Sequence, residues 1–579
     1  MRKKWRLVLW WQCVLPMVLR ARGSPPDDIV KCMSGTTQNC TVTSSYGTFP
    51  DRSVCRAAEV VYPTSEQELV AAVAMAVKNN QKVKVVTRYS HSIPKLVCPD
   101  GNTGLVISTL FLNTTIRVDP TTMLMMVESG VTLREVIQEA ATAGLALPYT
   151  PYWWGLTVGG MLGTGAHGSS LWDKGSAVHD YVVGMRLVTP ASPQEGYAKI
   201  RSLNLDNPQM NAVKVSLGVL GVISQVTLKL QPLFMRSITN SLRSDLDLED
   251  MVSSFGTQHE FGDITWYPSQ RKVLYKVDDR VTMNASGIGN IDFMGFRSTL
   301  TLELVLLRSS EETQELTRDA DTKCTMAKLQ VATLVNTGLG YKNNDVSFTS
   351  YPVIGSHHRL QASGGCLDSP RDALLSACPW DPRVKGEFFH QTTISIGLSN
   401  AKDFIIDVKM LRDMVPKGLC GVELYNGILM RYVKASSAYL GKQEDAIDVD
   451  ITYYRSKDPM KPRLYEDVVE EIEQMALFKY GGLPHWGKNR NLAFDGVMRK
   501  YAMGGEFLKV KKNYDPMGLF SSEWTDQVLG INGGVSVVKE GCALEGLCIC
   551  SQDIHCAPAK QYFCRPGKVY KDARVCTRI

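Results

Sequence analysis

Residues 155–168 read Gly-Leu-Thr-Val-Gly-Gly-Met-Leu-Gly-Thr-Gly-Ala-His-Gly and contain six glycines in fourteen positions. Glycine allows the backbone to approach a ligand closely and to adopt torsion angles that other residues avoid. Backbone N–H groups that are free of side chains form nests that hold phosphate oxygens. The stretch therefore predicts a binding site for a phosphate-bearing cofactor. The alternative is a purely structural glycine-rich turn between sheet layers, because glycine motifs are common.

The spacing Gly163-x-Gly165-x-x-Gly168 matches the letters of the dinucleotide-binding fingerprint. That fingerprint follows a strand and opens a helix near the start of a βαβ unit. Here the glycines follow a Trp-rich segment, and the polar residues 169–175 continue the loop instead of forming an apolar helix. We therefore interpret the stretch as a cofactor-binding loop outside the Rossmann fold.

A second candidate cofactor segment follows the apolar run Val83–Val86, which predicts a buried strand. Ligands of α/β domains bind beyond the ends of such strands. The segment consists of Arg88, Tyr89, Ser90, His91 and Ser92. Arg88 can pair with a phosphate group, and the two serines offer hydroxyl groups. His91 is either an ordinary hydrogen-bonding residue or a part of the cofactor site.

The regular structure of residues 55–235 alternates between helix and strand, which indicates an α/β domain. Ser65 with Glu68 and Thr132 with Glu135 have the spacing of helix capping boxes. The predicted strands are Val83–Val86, Met123–Val127 and Val222–Leu230. Two or three domains are expected, because 579 residues exceed what one compact core holds.

Residues 240–480 predict a second domain of α+β type. Strand-like runs include Leu300–Leu307 and Ile447–Tyr454, and helical patterns lie near 311–333 and 463–478. We expect a sheet that is covered by helices. The fold class predicted for the whole chain is therefore α+β, with an α/β domain first.

Residues 1–23 are typical of a secretory signal peptide, with basic residues before the apolar run Leu7–Leu19 and small residues near Gly23. The run is broken by Gln12 and Pro16 and is shorter than a bilayer span requires. We expect a location in the secretory pathway, extracellular or apoplastic, and no integral membrane span. The net charge of +6 is spread along the chain, so no nucleic-acid partner is expected.

The cysteines agree with that route. Of 15 cysteines, Cys13 lies in the signal, and six of the remainder lie in the last 38 residues. In an oxidising compartment this pattern predicts a disulfide-bonded tail at 540–579. A zinc module is the alternative, but paired C-x-x-C spacing is absent and only His555 is nearby, so no metal is expected. Glycosylation sequons at Asn39, Asn113 and Asn284 suit the same route.

The two candidate cofactor segments together resemble the flavin-binding domain of the vanillyl-alcohol-oxidase-like (PCMH-type) FAD family, over about residues 55–235. In that family two such loops wrap the FAD pyrophosphate, and Ser216–Ile223 resembles a later segment that lies against the flavin. The resemblance implies FAD as the cofactor. Besides residues 88–92, it assigns FAD contacts to Gly159, Gly160, Gly163, Thr164, Gly165, His167, Gly168, Gly218, Gly221 and Val222.

The C-terminal half is similar to the aldonolactone oxidases of that family. His485-Trp486-Gly487-Lys488 resembles their His-Trp-x-Lys signature, and residues 515–520 resemble their Asp-Pro-x-x-x-Phe element. The Cys-rich tail and the signal peptide are typical of the plant L-gulonolactone oxidases in this group. The resemblance implies a substrate, or cap, domain at 240–480 and a segment at 481–530 that returns to the flavin.

The same resemblance implies oxidation of the C2 hydroxyl of L-gulono-1,4-lactone to give ascorbate, with oxygen or another acceptor reoxidising the flavin. Lys488 and Arg431 are then the cations that stabilise developing negative charge. His485 is the leading candidate for the base, with Glu423 second. Glu423 is considered because Leu429 stands where relatives carry a glutamate. We expect Glu423 on the same strand-like stretch as Arg431.

Three alternatives stay open at this point. His91-Ser92 matches the pair through which animal members bind FAD covalently, but the preceding residues differ and the loop is one residue longer. Another PCMH-type alcohol or cytokinin oxidase is a second function, against which the His485-x-x-Lys488 spacing argues. A secreted binding protein without enzymatic activity is a third, because a fold does not fix a function.

Overall fold

The computed structural model describes residues 25–368 and 374–579, so the predicted signal peptide at 1–23 lies outside the described residues. Its first part contains two five-stranded sheets. In spatial order the first sheet consists of Val30–Lys31, Gln38–Val42, Cys55–Val61, Leu105–Ser108 and Val83–Val86. The second consists of Ala198–Asn204, Val182–Pro190, Val222–Lys229, Leu124–Glu128 and Thr115–Asp119. The three strands predicted here are confirmed to within one residue at each end.

Helix Glu66–Lys78 lies between the two sheets. Its buried Leu69 and Val73 belong to one core cluster with Leu105 of the first sheet and Val188 of the second. Burial of this apolar face from both sides makes the two sheets one unit. The helix therefore fixes how the two sheets face each other.

Both predicted helix caps are present, but only one forms the full capping box. The Thr132 hydroxyl accepts the Glu135 N–H, and the Glu135 carboxylate accepts the Thr132 N–H at 2.7 Å, at the start of helix Leu133–Thr142. At the other cap, the Ser65 hydroxyl accepts the Glu68 N–H, but the Glu68 carboxylate accepts the Thr64 N–H at 2.8 Å. The second reciprocal bond is thus shifted by one residue.

The second part of the chain contains an eight-stranded sheet, the large sheet, in which all neighbours are antiparallel. Its strands, in spatial order, are Val353–Ser356, Met235–Ser244, Lys272–Val281, Asp263–Tyr267, Ile428–Val433, Ala446–Tyr454, Phe389–Gly397 and Leu483–Pro484. Its longer helices are Thr301–Thr317, Ala320–Asn336, Leu398–Met414 and Glu466–Gln474. The prediction of an α+β sheet with helices is confirmed.

The strand predicted at Leu300–Leu307 is wrong, because helix Thr301–Thr317 occupies this stretch. Periodicity alone does not separate a short apolar run in a strand from one in a helix. Leu304 is buried, whereas Leu302 and Leu306 are 69% and 61% exposed, so the leucines are distributed around a helix. The run therefore lacks the two-residue alternation of a half-buried strand.

The C-terminal segment returns to the first sheet. Residues 504–528 include helices Gly504–Tyr514 and Glu523–Val528. The Leu519 carbonyl accepts the Val83 N–H at 2.8 Å, and the Phe520 carbonyl accepts the buried Lys84 ammonium at 2.8 Å. This contact joins the C-terminal segment to the edge strand Val83–Val86 of the first sheet.

The tail is held by disulfides, as predicted. Its bridges are Cys542–Cys548, Cys550–Cys564 and Cys556–Cys576, and four more connect Cys32–Cys40, Cys55–Cys98, Cys324–Cys420 and Cys366–Cys378. The tail ends in the hairpin Tyr562–Pro566 and Arg574–Arg578. Within residues 25–368 and 374–579, every helix is too short or too polar to cross a bilayer.

Candidate active site

A cavity of about 600 Å³ lies between the glycine-rich segments of the first part and the large sheet. Its first wall consists mainly of backbone and small side chains from residues 90–92, 157–167 and 216–223. Its opposite wall carries charged side chains from five strands of the large sheet and from residues 485–488. The cavity therefore places the two sets of predicted residues face to face.

The glycine stretch is half helix and half loop, which corrects the prediction of a continuous loop. Val158–Thr164 forms a short helix whose first turn is capped by the Thr157 hydroxyl, which accepts the Gly160 N–H at 3.2 Å. The helix ends at Gly165, which has a φ of 66°. Position 159 favours glycine, because a Cβ atom there would make a tight contact of 3.1 Å with the Ser129 Cβ atom. Close packing of the backbone thus explains the helix despite its poor intrinsic propensity.

Ten of the fifteen predicted cofactor residues line the cavity. They are Ser90, His91, Ser92, Gly159, Gly160, Gly163, Thr164, His167, Gly218 and Gly221. The segment 216–223 is fixed to the short helix, because the Gly163 carbonyl accepts the Leu217 N–H at 2.9 Å. This hydrogen bond brings two distant glycine segments into one wall.

The other five predicted residues are near the cavity but do not line it. Arg88 is exposed at a separate surface groove, with its guanidinium 5.1 Å from the Tyr89 ring centroid. Tyr89 is buried in an aromatic cluster, and Gly165 ends the helix. Gly168 packs so tightly that a Cβ atom would lie 2.6 Å from the Thr150 carbonyl oxygen, and Val222 is a core residue of the second sheet. The phosphate contact predicted for Arg88 has no geometric support, because its side chain points to solvent.

His91 lies at the cavity wall in an aromatic environment. Its ring centroid is 4.1 Å from that of Trp153 and 5.6 Å from that of Trp380. Nε2 lies 2.7 Å from the Tyr46 hydroxyl and Nδ1 lies 3.2 Å from the Ser45 hydroxyl. Burial, with a smaller effect of the Lys488 charge, lowers the pKa of His91 to about 3. The imidazole is therefore neutral, with both nitrogens next to hydroxyl groups.

The charged wall is centred on Asp450, which sequence analysis did not single out. Its carboxylate forms ion pairs with the Lys488 ammonium and with the Arg431 guanidinium, the latter at 3.3 Å, and accepts the Gln391 amide at 3.0 Å. Burial alone would raise the pKa of Asp450, but Lys488 and Arg431 outweigh it and lower that pKa. Asp450 is thus a buried anion between the two predicted cations.

Two histidines stand beside this group. The Nδ1 atom of His485 accepts the Gly487 N–H at 3.0 Å, so the neutral ring carries its proton on Nε2. Burial and the neighbouring His167 and Lys488 hold the pKa of His485 well below its ordinary value. His167 contacts acceptor oxygens through both ring nitrogens, with Nε2 2.6 Å from Asp448 and Nδ1 2.9 Å from the Gly168 carbonyl. His485 is therefore a hydrogen-bond donor and not the free base that the sequence suggested.

Glu423 lies away from the cavity, and the strand it was expected to share with Arg431 begins only at Ile428. It is in the single helical turn Cys420–Glu423. Its carboxylate accepts the Ser269 N–H at 2.6 Å and the Gln270 amide at 2.8 Å. These contacts give Glu423 a structural role, so the geometry does not support a catalytic one.

The sequence did contain a signal for Asp450. Two aspartates alternate with apolar residues in Ile447-Asp448-Val449-Asp450-Ile451. Side chains two apart on a strand share a face, so both carboxylates point the same way in an otherwise apolar strand. Buried carboxylates need partners, which marks that face as a candidate site. Tyr46 and Gln391 gave no comparable signal.

The cavity fits the FAD group that the resemblance implies. Gly163 and Gly218 face open space, since an added Cβ atom would meet nothing within 4 Å at either position. The Ser129 hydroxyl is buried at the same wall and has no hydrogen-bond partner among residues 25–368 and 374–579. Exposed backbone and an unpaired hydroxyl suit the phosphate and ribose of a dinucleotide, and the charged opposite wall suits an anionic reduced ring system.

Comparison with known proteins gives the same answer. Residues 57–192 match the family profile "FAD binding domain", residues 387–528 match "D-arabinono-1,4-lactone oxidase", and residues 539–578 match "L-gulonolactone oxidase 2-like, C-terminal domain". Solved structures with the same fold include a solvent-stable cholesterol oxidase, with a TM-score of 0.65 and 16% identity, which covers 88% of this chain and 100% of that one. The chain is thus an FAD-dependent oxidoreductase with a PCMH-type fold, and the cavity is the candidate site for its cofactor.

Curated relatives narrow the assignment. From Arabidopsis thaliana, "Probable L-gulonolactone oxidase 6" is 63% identical over 576 residues, covering 99% of this chain and 95% of that protein. "L-gulonolactone oxidase 2" is 63% identical over 568 residues, covering 98% and 96%. The mouse "L-gulonolactone oxidase" is 23% identical over 473 residues, covering 80% and 94%. The chain belongs to the L-gulonolactone oxidase family and is an FAD enzyme.

The open space at Gly163 leads to a test of FAD binding. Gly163→Leu is expected to fold but to weaken FAD binding by about tenfold or more, because the added side chain occupies the cavity and nothing else. The measurement is the ratio of flavin to protein absorbance after purification, followed by FAD titration. Gly505→Leu on an exposed part of helix Gly504–Tyr514 is the control. Full flavin content in G163L would contradict the assignment of this wall.

Proposed function

We propose that this enzyme oxidises the C2 hydroxyl of L-gulono-1,4-lactone, or of a related aldonolactone, to give L-ascorbate after tautomerisation of the 2-keto lactone. FAD supplies the two-electron chemistry as hydride acceptor, and oxygen or another acceptor then removes the electrons. The observation that carries the proposal is a pair of cations, the buried Arg431 and the half-buried Lys488, on the wall that faces the glycine segments.

The cations are suited to a substrate oxygen that gains negative charge. Arg431 donates to the His167 carbonyl at 3.2 Å and to Asp450 at 3.3 Å, while its buried Nε has no hydrogen-bond partner within the part of the chain that the structure describes. Lys488 uses one of its three N–H groups on Asp450. Free donors in a dry site stabilise a developing charge far more than donors in water do.

His485 is proposed as a third donor. Its Nε2–H is the remaining polar group of the ring, since Nδ1 is occupied by the Gly487 N–H. Trp486 anchors this segment, because its indole donates to the Leu440 carbonyl at 3.0 Å and its ring stacks on Tyr501 at 5.4 Å. The His-Trp-x-Lys segment therefore presents two donors from a rigid support.

A second candidate substrate class comes from the fold neighbours, which are cholesterol oxidases. One stretch of the cavity is apolar and includes Phe293, Met294, Phe296, Leu304 and Leu334. Those structures are at most 16% identical to this chain, so the likeness supports a shared fold and not a shared substrate. The charged wall favours the hydroxyl-rich lactone, because apolar substrates would leave these groups unpaired.

The lactone assignment is tested by anaerobic reduction. L-gulono-1,4-lactone is expected to bleach the visible absorption of the bound flavin and to yield one ascorbate per flavin, because hydride loss from C2 is the proposed first step. Ascorbate is identified chromatographically, and a cytokinin and cholesterol serve as comparison substrates. Lys488→Met should slow bleaching by about 100-fold, with exposed Lys512→Met as the matched control. Bleaching by cholesterol or a cytokinin, but by no aldonolactone, would overturn the proposal.

Covalent attachment of FAD at His91 stays a prediction. A neutral ring nitrogen has the lone pair that a bond to the flavin requires, and the low pKa keeps His91 neutral. The bond would displace the hydroxyl of Tyr46 or of Ser45 from that nitrogen. On acid precipitation, we expect the flavin to stay with the wild-type pellet and to be released from His91→Ala, with Ser92→Ala as control. Complete release from the wild-type protein would exclude the covalent bond.

The secretory route is likewise our proposal. It is supported by seven disulfides, which persist in oxidising compartments, and by the exposure of Asn39, Asn113 and Asn284 at the surface. We expect the full-length chain in the extracellular fraction, with a mobility shift after deglycosylation. A reduced, unglycosylated chain inside the cell would contradict the route.

A further inference from the structure

Strand register places Asp450 and Leu429 side by side on the cavity wall. They are direct partners on neighbouring antiparallel strands, as are Asp448 and Arg431 two residues along. Directly opposite residues have Cβ atoms about 5 Å apart and point to the same face. Both Leu429 and Asp450 line the cavity. A side chain at either position can therefore reach the same small volume.

Asp450 joins cations that come from two different elements. Arg431 lies on strand Ile428–Val433, whereas Lys488 lies on the segment after strand Leu483–Pro484. The same carboxylate oxygen, Oδ2, contacts both cations, and the other, Oδ1, accepts the Gln391 amide at 3.0 Å. Gln391, from the strand on the other side, therefore fixes the orientation of the carboxylate.

Two neighbouring buried cations repel each other unless an anion lies between them. Arg431 and Asp450 are 6% and 7% exposed, so water screens these charges little. Burial lowers the pKa of Lys488, and Arg431 lowers it further, while Asp450 acts in the opposite direction. Without Asp450, Lys488 would lose its proton more easily or turn away from Arg431.

We propose that Asp450 is a positioning residue that holds Lys488 and Arg431 side by side, charged and aimed at the substrate oxygen. This proposal rests on the proposed function. The Asp450 carboxylate already accepts from Lys488, Arg431 and Gln391, so its role is exerted through the two cations. A carboxylate at position 429 would satisfy the same requirement from the neighbouring strand.

The first test moves the carboxylate across the strand pair. In Asp450→Asn, lactone-dependent flavin reduction is expected to slow by about 100-fold, because two donors lose their fixed geometry. Adding Leu429→Glu should recover about tenfold or more of that loss, whereas Leu429→Gln in the same background should recover none. The amide variant has the same size without the charge, so the comparison isolates the carboxylate.

The pH dependence gives a readout that loss of packing would not produce. The charged and titratable groups facing Asp450 are Lys488, Arg431, Tyr46 and Asp448. Asp450 raises the pKa of Lys488, so Lys488 should lose its proton at a lower pH in D450N than in the wild-type enzyme. The rate of flavin reduction should therefore fall at a lower pH on the alkaline side of the profile. L429E/D450N should return that limb toward the wild-type position.

A readout without substrate separates this proposal from the proposed function. The midpoint potential of the bound flavin, measured by dye equilibration, should become more positive in D450N, because uncompensated cations favour the reduced anion. L429E/D450N should reverse the shift. If no aldonolactone reduces the wild-type enzyme but the potential moves as stated, the substrate assignment fails and the role of Asp450 in fixing the cations stands.

Three outcomes would overturn the role of Asp450. The first is a D450N enzyme with the wild-type rate, alkaline limb and flavin potential. The second is a D450N enzyme whose melting temperature falls while its rate, alkaline limb and flavin potential stay at the wild-type values. The third is recovery by Leu429→Gln equal to that by Leu429→Glu, and this comparison decides even if D450N alone does not fold.

Discussion

The site depends on one constraint: a wall of backbone with few side chains must face a charged sheet across the cavity. Gly159 lies against Ser129, and Gly163 and Gly218 leave open space where other residues would place side chains. That arrangement makes the cavity of about 600 Å³ and gives it one wall of backbone and small side chains. The opposite wall carries charges, which would face a cofactor bound between the two walls.

The walls are held in place by contacts between distant parts of the chain. Helix Glu66–Lys78 joins the first two sheets, and residues 519 and 520 bind the edge of the first sheet. In the tail, the Glu545 carboxylate accepts Arg52 at 2.8 Å and Arg455 at 2.6 Å. These ion pairs connect the disulfide-bonded tail with Arg52 near the start of the described chain and with Arg455 directly after a strand of the large sheet. The connection is firm, because buried ion pairs are costly to break.

Electrostatics distinguishes the functional face of the large sheet from an ordinary buried one. Asp448 forms an ion pair with Lys442 and a contact with the buried His167, and Asp450 forms ion pairs with Lys488 and Arg431. Each carboxylate has a lowered pKa although burial raises it, because cations lie within hydrogen-bonding distance. The face is thus nearly neutral overall but rich in donors directed into the cavity, which suits a reaction that creates negative charge.

The sequence by itself determined the α/β and α+β parts, the capped helices, the glycine segments and the disulfide-bonded tail, because each depends on local spacing or composition. It also indicated Lys488 and Arg431 through short motifs. Only the tertiary structure decided that Asp450 stands between them, that Glu423 does not, and that Leu300–Leu307 is helical. These facts follow from strand register and long-range packing, which bring together residues that no local pattern connects.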